Sequence, residues 1–403
     1  MQHFSKKLIA AFSAAVLTAA SVPAAMYVSA AEKKILILGD SISAGYGLAA
    51  GESGYYEYLA ASLGGTVTNL AKSGATTADL LAVLDNSANA AAISGADYIC
   101  ISIGSNDLMQ PAKSYFEEYA KEGESMMDTL RRTVKEQGAE TIVTGLTRAL
   151  RTPRSTAKGN YAVIGQKILA FNPDAEIIFQ TIYNPFEVPE SFLTERKYSA
   201  NDIKNYNALL TYVTNNEEQL NNAMRDLAKN DPDHCKVADI MEAFAGGGWL
   251  FDKILQKDVH PTPLGHAAIA ASVLDAIGGS AAKTKMFGNM LDNLTLAQCK
   301  YIPAATAEKM QKLSDSPDVL RGDVDDSGEV TNVDAQSVVT VYAAIVAGTD
   351  IESQTKYPYL RGADVNGDMK ITAEDPQYIL MYYVANTVSK QPTGWDAIIT
   401  PAS

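Results

Sequence analysis

Short apolar runs alternate with amphipathic ones over the first two thirds of the chain. Residues 34–38 (Lys-Ile-Leu-Ile-Leu) close on Gly39, and 67–70, 98–103, 175–181 and 236–240 repeat the theme. Runs this short, bounded by turn-forming residues, read as buried β-strands. Between them, 57–63, 78–84 and 266–277 read as helices. Such alternation predicts an α/β fold, a parallel sheet with helices on both faces. Residues 280–317 lack a clear period and read as a connector with some helix over 295–311. Beyond residue 317 the chain repeats itself. Helix-like stretches at 335–347 and 376–386 each follow an Asp-rich loop, and the copies align Gln336 with Gln377 and Tyr342 with Tyr383.

A chain of 403 residues calls for more than one domain, and 47% hydrophobic residues suffice for a proper core. Net charge is −14, and 13 acidic against 5 basic residues from Asp318 onward place −8 of it in the repeated region. That balance disfavours nucleic-acid or anionic-membrane binding. The start reads as a signal peptide over 1–30: Lys6 and Lys7, an apolar run from Leu8, and Val28-Ser29-Ala30 at a cleavage site. Ser13, Thr18, Ser21 and Pro23 make that run a poor membrane span, so a secreted, extracellular protein is expected. Of three cysteines, Cys100 lies in a strand-like run and reads as a buried thiol, while a Cys235–Cys299 bridge is left open.

The Asp-rich loops carry chemistry. One spans Asp323 to Asp334 and the other Asp364 to Asp375, with oxygen side chains at positions 1, 3, 5 and 12 and an apolar residue at position 8. That spacing wraps a hard cation in six to eight oxygens. Position 6 turns with positive φ and favours Gly. Gly328 meets this, whereas Met369 costs on the order of 1 kcal/mol, so the second loop is the weaker expected site. A duplicated loop–helix pair with Asp at position 12 resembles a type I dockerin, over 318–395. The resemblance implies a small α-helical module with two EF-hand-like loops and two Ca2+ ions. Their ligands would be Asp323, Asp325, Ser327, Glu329 and Asp334 in one loop, and Asp364, Asn366, Asp368, Lys370 and Asp375 in the other. It also implies a cohesin module of a scaffoldin as partner, facing Val338, Val339 and Tyr342 or Ile379, Leu380 and Tyr383.

The expected strand ends carry a second constellation. The first strand runs into Gly39-Asp40-Ser41, the second into Asn69 through Ser73-Gly74, and the third into Gly104-Ser105-Asn106-Asp107. Asp258-Val-His260-Pro261 opens the last helix. A Ser between strand and helix sits at the carboxyl edge of the sheet, where open α/β folds place their sites. In this order the four segments resemble the SGNH (GDSL-type) esterases, over residues 33–279, with Ser41, Gly74, Asn106 and His260 as the block residues. The resemblance implies Ser41 as nucleophile, His260 as base, and an oxyanion hole from the Ser41 and Gly74 N–H groups and the Asn106 amide. The family usually has Asp three residues before the His, but that position is Lys257, and Asp258 is favoured as the orienting carboxylate. Asp40, Asp107, His234 and His266 read as structural, and Tyr46, Phe186 and Trp249 as core or pocket residues.

The expected protein is a signal peptide (1–30), a hydrolase domain (32–279), a connector (280–317) and a dockerin-like domain (318–395). Its expected function is that of a secreted serine ester hydrolase on a cellulosome-type scaffold, removing acetyl groups from plant polysaccharide. The alternatives are a lipase or lysophospholipase acting on longer acyl esters, and a non-catalytic binding module on an esterase fold. Catalysis needs no cofactor, and no segment after the signal peptide is apolar enough to span a membrane.

Overall fold

Five parallel strands form one sheet: β1 (Lys33–Gly39), β2 (Gly65–Asn69), β3 (Tyr98–Ser102), β4 (Glu176–Gln180) and β5 (Cys235–Ala238), in the order β2-β1-β3-β4-β5. The computed structural model describes residues 32–399 except 125, 279 and 280, so the expected signal peptide lies outside the described residues. Each strand coincides with one of the apolar runs. Along β1 the side chains alternate: Ile35 and Ile37 enter the core on one face, Leu36 and Leu38 the core on the other. Burial on both faces is why the inner strands β1, β3 and β4 are largely apolar, whereas the edge strand β2 (Gly-Thr-Val-Thr-Asn) has no buried residue. In this order the connections reverse direction between β1 and β3, which opens a crevice at the carboxyl ends of the strands.

The helices that shape this crevice are α1 (Tyr55–Leu63), α2 (Thr77–Asp85), α3 (Ser105–Glu117), α4 (Met126–Gln137), α5 (Ala139–Phe171), α6 (Ala200–Asn230) and α7 (Pro263–Ala276). Capping side chains begin three of them: Thr76 and Asp79 bond reciprocally at α2, Ser199 and Asp202 do the same at α6, and Thr262 accepts from Gly265 N at α7. At 33 and 31 residues, α5 and α6 are roughly 50 Å long, far beyond what the sheet requires. Their carboxyl halves pack on the sheet through Tyr161, Ile164, Ile168, Leu220 and Met224. Their amino halves extend past it and build a small separate core, with Phe116, Val134, Ile142 and Leu146 buried and Leu209 and Tyr212 against them.

The segment expected as a connector is helical and closely packed. It contains α8 (Lys285–Asp292) and α9 (Ala304–Lys312), with a short helix at Leu296–Cys299 between them. Phe287, Leu291, Met310 and Leu313 belong to one apolar cluster that reaches from Ile35 in the sheet to Ile379 near the C-terminus. From Lys33 onward the chain is one unit. Backbone bonds stitch the parts together: Ala282 N to Ser62 O at 2.7 Å, Leu296 N to Thr355 O at 3.0 Å and Tyr357 N to Leu294 O at 2.9 Å. The repeated helices are α10 (Asn332–Val346) and α11 (Glu374–Tyr383). Val338 and Ile379 are fully buried, so the two expected partner-facing strips are narrower than the sequence implies, while Val339, Leu380 and Met381 remain exposed. All three cysteines are free and buried, and no Cys235–Cys299 bridge forms. No described helix is long and apolar enough to cross a membrane.

Candidate active site

Ser41 enters the crevice from the turn after β1. The chain can make this turn because residue 39 is Gly: its φ is +126°, and a Cβ there would lie 1.9 Å from Ser102 O. Asp40 anchors the turn, its N–H donating to Ser102 O at 2.9 Å and its Oδ1 accepting from Ile42 N at 3.1 Å. Burial pushes the Asp40 carboxyl up to about 7, against the hydrogen bonds it receives. Gly74 follows β2, and Asn106 stands in the first turn of α3, after β3. Asp107 fastens these two segments together, accepting from Thr77 N at 2.9 Å and Thr77 Oγ1 at 2.7 Å. The Asn106 Nδ2 donates to Ala75 O at 2.9 Å, and as a two-proton donor it retains a second N–H. Among the described residues, the Ser41 and Gly74 N–H groups donate to no protein acceptor.

His260 comes from the other side of the crevice, on the loop that leads into α7. That loop is a narrow hairpin: Asp252 and Pro261 form a bridge, Lys253 N donates to His260 O at 3.0 Å, and Thr262 N donates to Phe251 O at 2.7 Å. The hairpin turns through Lys257 with φ +64°, which folds Asp258 back towards the imidazole. His260 Nδ1 lies 2.5 Å from Asp258 Oδ1, and the His260 N–H donates to the same oxygen at 3.1 Å. Burial works to raise the Asp258 carboxyl, but the bonds from His260 outweigh it and hold it below the usual carboxylate range. Tyr183 supports the loop by donating to Val259 O at 2.7 Å, and the Tyr46 ring lies 4.5 Å from the His260 ring. Asp252 points elsewhere. It is 2% exposed, its Oδ2 has no partner among the described residues, and burial pushes it up to about 8. His266 is buried with Nδ1 accepting from Tyr55 N at 3.3 Å, and burial lowers it to about 3, so it is neutral.

Ser41, Asn106 and His260 line one cavity of about 270 Å³, towards the lower end of ligand-pocket sizes. Gly74 is not among its walls, although Gln110 Nε2 binds the Gly74 carbonyl at 2.8 Å. Away from Ser41 and His260 the cavity runs between α3, α4, α5 and α6, where Leu108, Met109, Phe116, Leu146, Leu150 and Val213 line it. Phe186 lines it as well, whereas Trp249 packs edge-on against Tyr301. Sequence reasoning missed this cavity. Its signal was the helical spacing of Ile142, Leu146 and Leu150 on α5, and of Leu209 and Val213 on α6.

The second set of expected site residues lies near α10 and α11. The two loops repeat one hydrogen-bond scheme. Position 1 accepts from the position 6 N–H, at 2.7 Å for Asp323 and Gly328 and at 2.7 Å for Asp364 and Met369. Position 12 accepts from the position 2 N–H, Asp334 from Val324 at 2.9 Å and Asp375 from Val365 at 3.1 Å. Position 6 has positive φ in both loops, +85° at Gly328 and +66° at Met369. Position 4 also has positive φ, at Asp326 and Gly367, so each loop places one Gly and one side-chain-bearing residue in the left-handed region. The Asp323, Asp325 and Asp334 side chains each bring a carboxylate oxygen within 4.8 Å of the others. Asp325, Ser327 and Glu329 are exposed, as are Asp368 and Lys370, while Asn366 is part-buried and binds Asp368 N at 3.1 Å. Burial above all, with the charges of Asp375 and Asp368, pushes Asp364 up to about 6. Crowded carboxylates held by backbone N–H groups and by the Thr331 and Thr372 hydroxyls fit a hard divalent cation in their oxygen chemistry.

A family model of the GDSL-like lipase/acylhydrolases matches residues 37–268. No curated protein matches the chain. Among solved structures, the lipase Lip_vut3 from a goat rumen metagenome is 21% identical with TM-score 0.41, covering 60% of this chain and 97% of its own. An extracellular lipase from Streptomyces rimosus is 22% identical, covering 60% of this chain and 99% of its own with TM-score 0.42. A phospholipase A1 from Streptomyces albidoflavus is 21% identical, covering 61% and 99% with TM-score 0.41.

Proposed function

Because the chain belongs to the GDSL-like lipase/acylhydrolase family, we propose that this carboxylic ester hydrolase cleaves esters of medium to long acyl chains by a Ser-His-Asp mechanism. His260, oriented by Asp258, takes the Ser41 proton as the hydroxyl attacks the ester carbonyl. The developing oxyanion is met by the Ser41 and Gly74 N–H groups and the Asn106 amide, each worth about 2.7–4 kcal/mol if it acts as a preorganised donor. His260 protonates the leaving alcohol, then activates water to release the acid and regenerate Ser41.

The observation that carries the acyl-chain reading is the apolar cavity reached from Ser41 and His260. An acetyl group would leave most of it empty. Polysaccharide deacetylation, the expectation drawn from the dockerin-like region, has no comparable feature behind it. The test is an acyl series from acetyl to dodecanoyl, plus acetate release from acetylated xylan, with Ser41→Ala as control. Each methylene that enters the cavity contributes about 0.8 kcal/mol, roughly a fourfold gain in kcat/KM, until the cavity is full. A maximum at acetyl together with acetate release from xylan would reverse the assignment.

For the C-terminal region we propose a dockerin-type role in a secreted protein, with two Ca2+ ions and a cohesin partner. Asp323, Asp325, Asp334 and Ser327, with the Glu329 carbonyl, would hold one ion. Asp364, Asn366, Asp368 and Asp375, with the Lys370 carbonyl, would hold the other. The doubled hydrogen-bond scheme and the exposed Val339, Leu380 and Met381 support this reading. The ions would neutralise carboxylates that otherwise repel one another, so binding energy becomes folding energy. Calorimetry is expected to show two calcium events, one for each loop. Melting insensitive to both calcium and chelator would end this reading.

A further inference from the structure

The apolar cavity has a polar interruption. Helix α6 presents Leu209, Val213, Glu217, Leu220 and Met224 at helical spacing, and Glu217 stands where the strip calls for an apolar residue. It is 5% exposed and lines the cavity that starts at Ser41 and His260. Its Oε2 is buried and meets no donor among the described residues. Tyr212, five residues earlier on α6, lines the same cavity, and its hydroxyl is buried and meets no partner among the described residues. Asn216 between them is satisfied: its Oδ1 accepts from Arg154 and its Nδ2 donates to Tyr212 O at 2.7 Å. Burial raises the Glu217 carboxyl well above the usual range, which favours its protonated form, able to donate as well as accept. Unsatisfied buried polar groups are rare and costly, and here two of them border one cavity whose remaining wall is largely apolar.

We propose that Glu217 and Tyr212 form a polar station in the acyl cavity that hydrogen-bonds an oxygen on the bound chain, so that esters of hydroxylated acyl groups are preferred over plain ones. The proposal rests on the cavity being the acyl site. A site built to bond a substrate hydroxyl penalises the analogue that lacks it, because its own polar groups are then left unpaired.

The test is kcat/KM for matched dodecanoyl esters, plain or hydroxylated at successive chain positions. Wild type is expected to favour at least one hydroxylated chain by about tenfold, the scale of one hydrogen bond to a desolvated group. Glu217→Leu and Tyr212→Phe should lower that ratio, and Glu217→Gln, which keeps the shape and both bonding capacities, should preserve most of it. If Glu217→Leu fails to fold, the other two variants carry the test. A wild-type ratio of one or less at every position overturns the proposal and leaves the ester-hydrolase reading intact. So does a ratio that neither Glu217→Leu nor Tyr212→Phe changes, the result expected if the station holds only a buried water. Failure to cleave any ester would sink the underlying reading and this one with it.

Discussion

The chain gathers carboxylates in two places and treats them in opposite ways. In the crevice, Asp258 lies 2.5 Å from His260 Nδ1 and so orients the ring, leaving Nε2 as the nitrogen that can take up the proton of Ser41. In the C-terminal loops, Asp323 and Asp334 are buried and accept from backbone N–H groups and Thr331, and among the described residues no cationic side chain pairs with them. The first arrangement closes its charge balance with the chain's own residues. The second leaves it open to something from outside. On the proposed reading, a catalytic triad and a cation site thus use the same residue type, and the counter-charge tells them apart.

The contrast can be broken most directly at His260. His260→Ala removes the base, and a loss of roughly three decades in kcat/KM is expected, with no change in the calcium dependence of melting. A shift in calcium affinity would show that the two clusters are not independent. A finer cut separates Asp258 from Asp252, its neighbour on the hairpin. Asp258→Asn should lower kcat/KM at least about tenfold, because the amide cannot stabilise the imidazolium. Asp252→Asn should stay within about twofold of wild type, but it should change the pH dependence of stability. Asp252 is raised from the ordinary carboxylate range to about 8 by burial. The native state therefore holds a proton that the unfolded state has lost, and this contribution to stability is complete at acid pH and disappears as pH rises through about 8. Melting temperatures across that range should fall less steeply in Asp252→Asn, and identical slopes would refute the assignment.

The smallest effects concern the left-handed positions of the loops. From sequence, Met369→Gly should relieve strain and tighten the second loop. The structure adds an opposing term, since Met369 is only 7% exposed and belongs to the apolar cluster. Burial of such a side chain contributes about 1.5–3 kcal/mol, against roughly 1–2 kcal/mol for the backbone conformation. Met369→Gly is therefore expected to lower the stability of the C-terminal region by about 1 kcal/mol. Asp326→Gly, at an exposed position with φ +58°, should stay within about 0.5 kcal/mol. Denaturant melts of both variants in excess calcium decide the signs.

What was legible in the sequence was local. The inner strands were readable because burial on both faces makes them continuous apolar runs, and Ser41, Asn106 and His260 because each follows a strand end or precedes a helix. The loops were readable because their spacing recurs. The cavity was not, because its walls are the overhanging halves of α5 and α6, and which half faces what depends on packing between residues far apart in the chain. Glu217 escaped notice because one acidic residue in a helix reads as solvated until its apolar neighbours at four-residue spacing are weighed. The segment 280–317 seemed a connector because its helices are too short to show a period, although Phe287, Leu291 and Met310 are completely buried.

That buried segment has a mechanical consequence. A flexible tether would let a hydrolase sample a sphere around its anchor, with an effective concentration set by tether length. Here an unbroken apolar cluster runs from β1 through α8 and α9 to α11, leaving no slack. A partner that grips the exposed surface of α10 and α11 would thereby aim the crevice, and the esters within reach would be chosen by the angle of mounting.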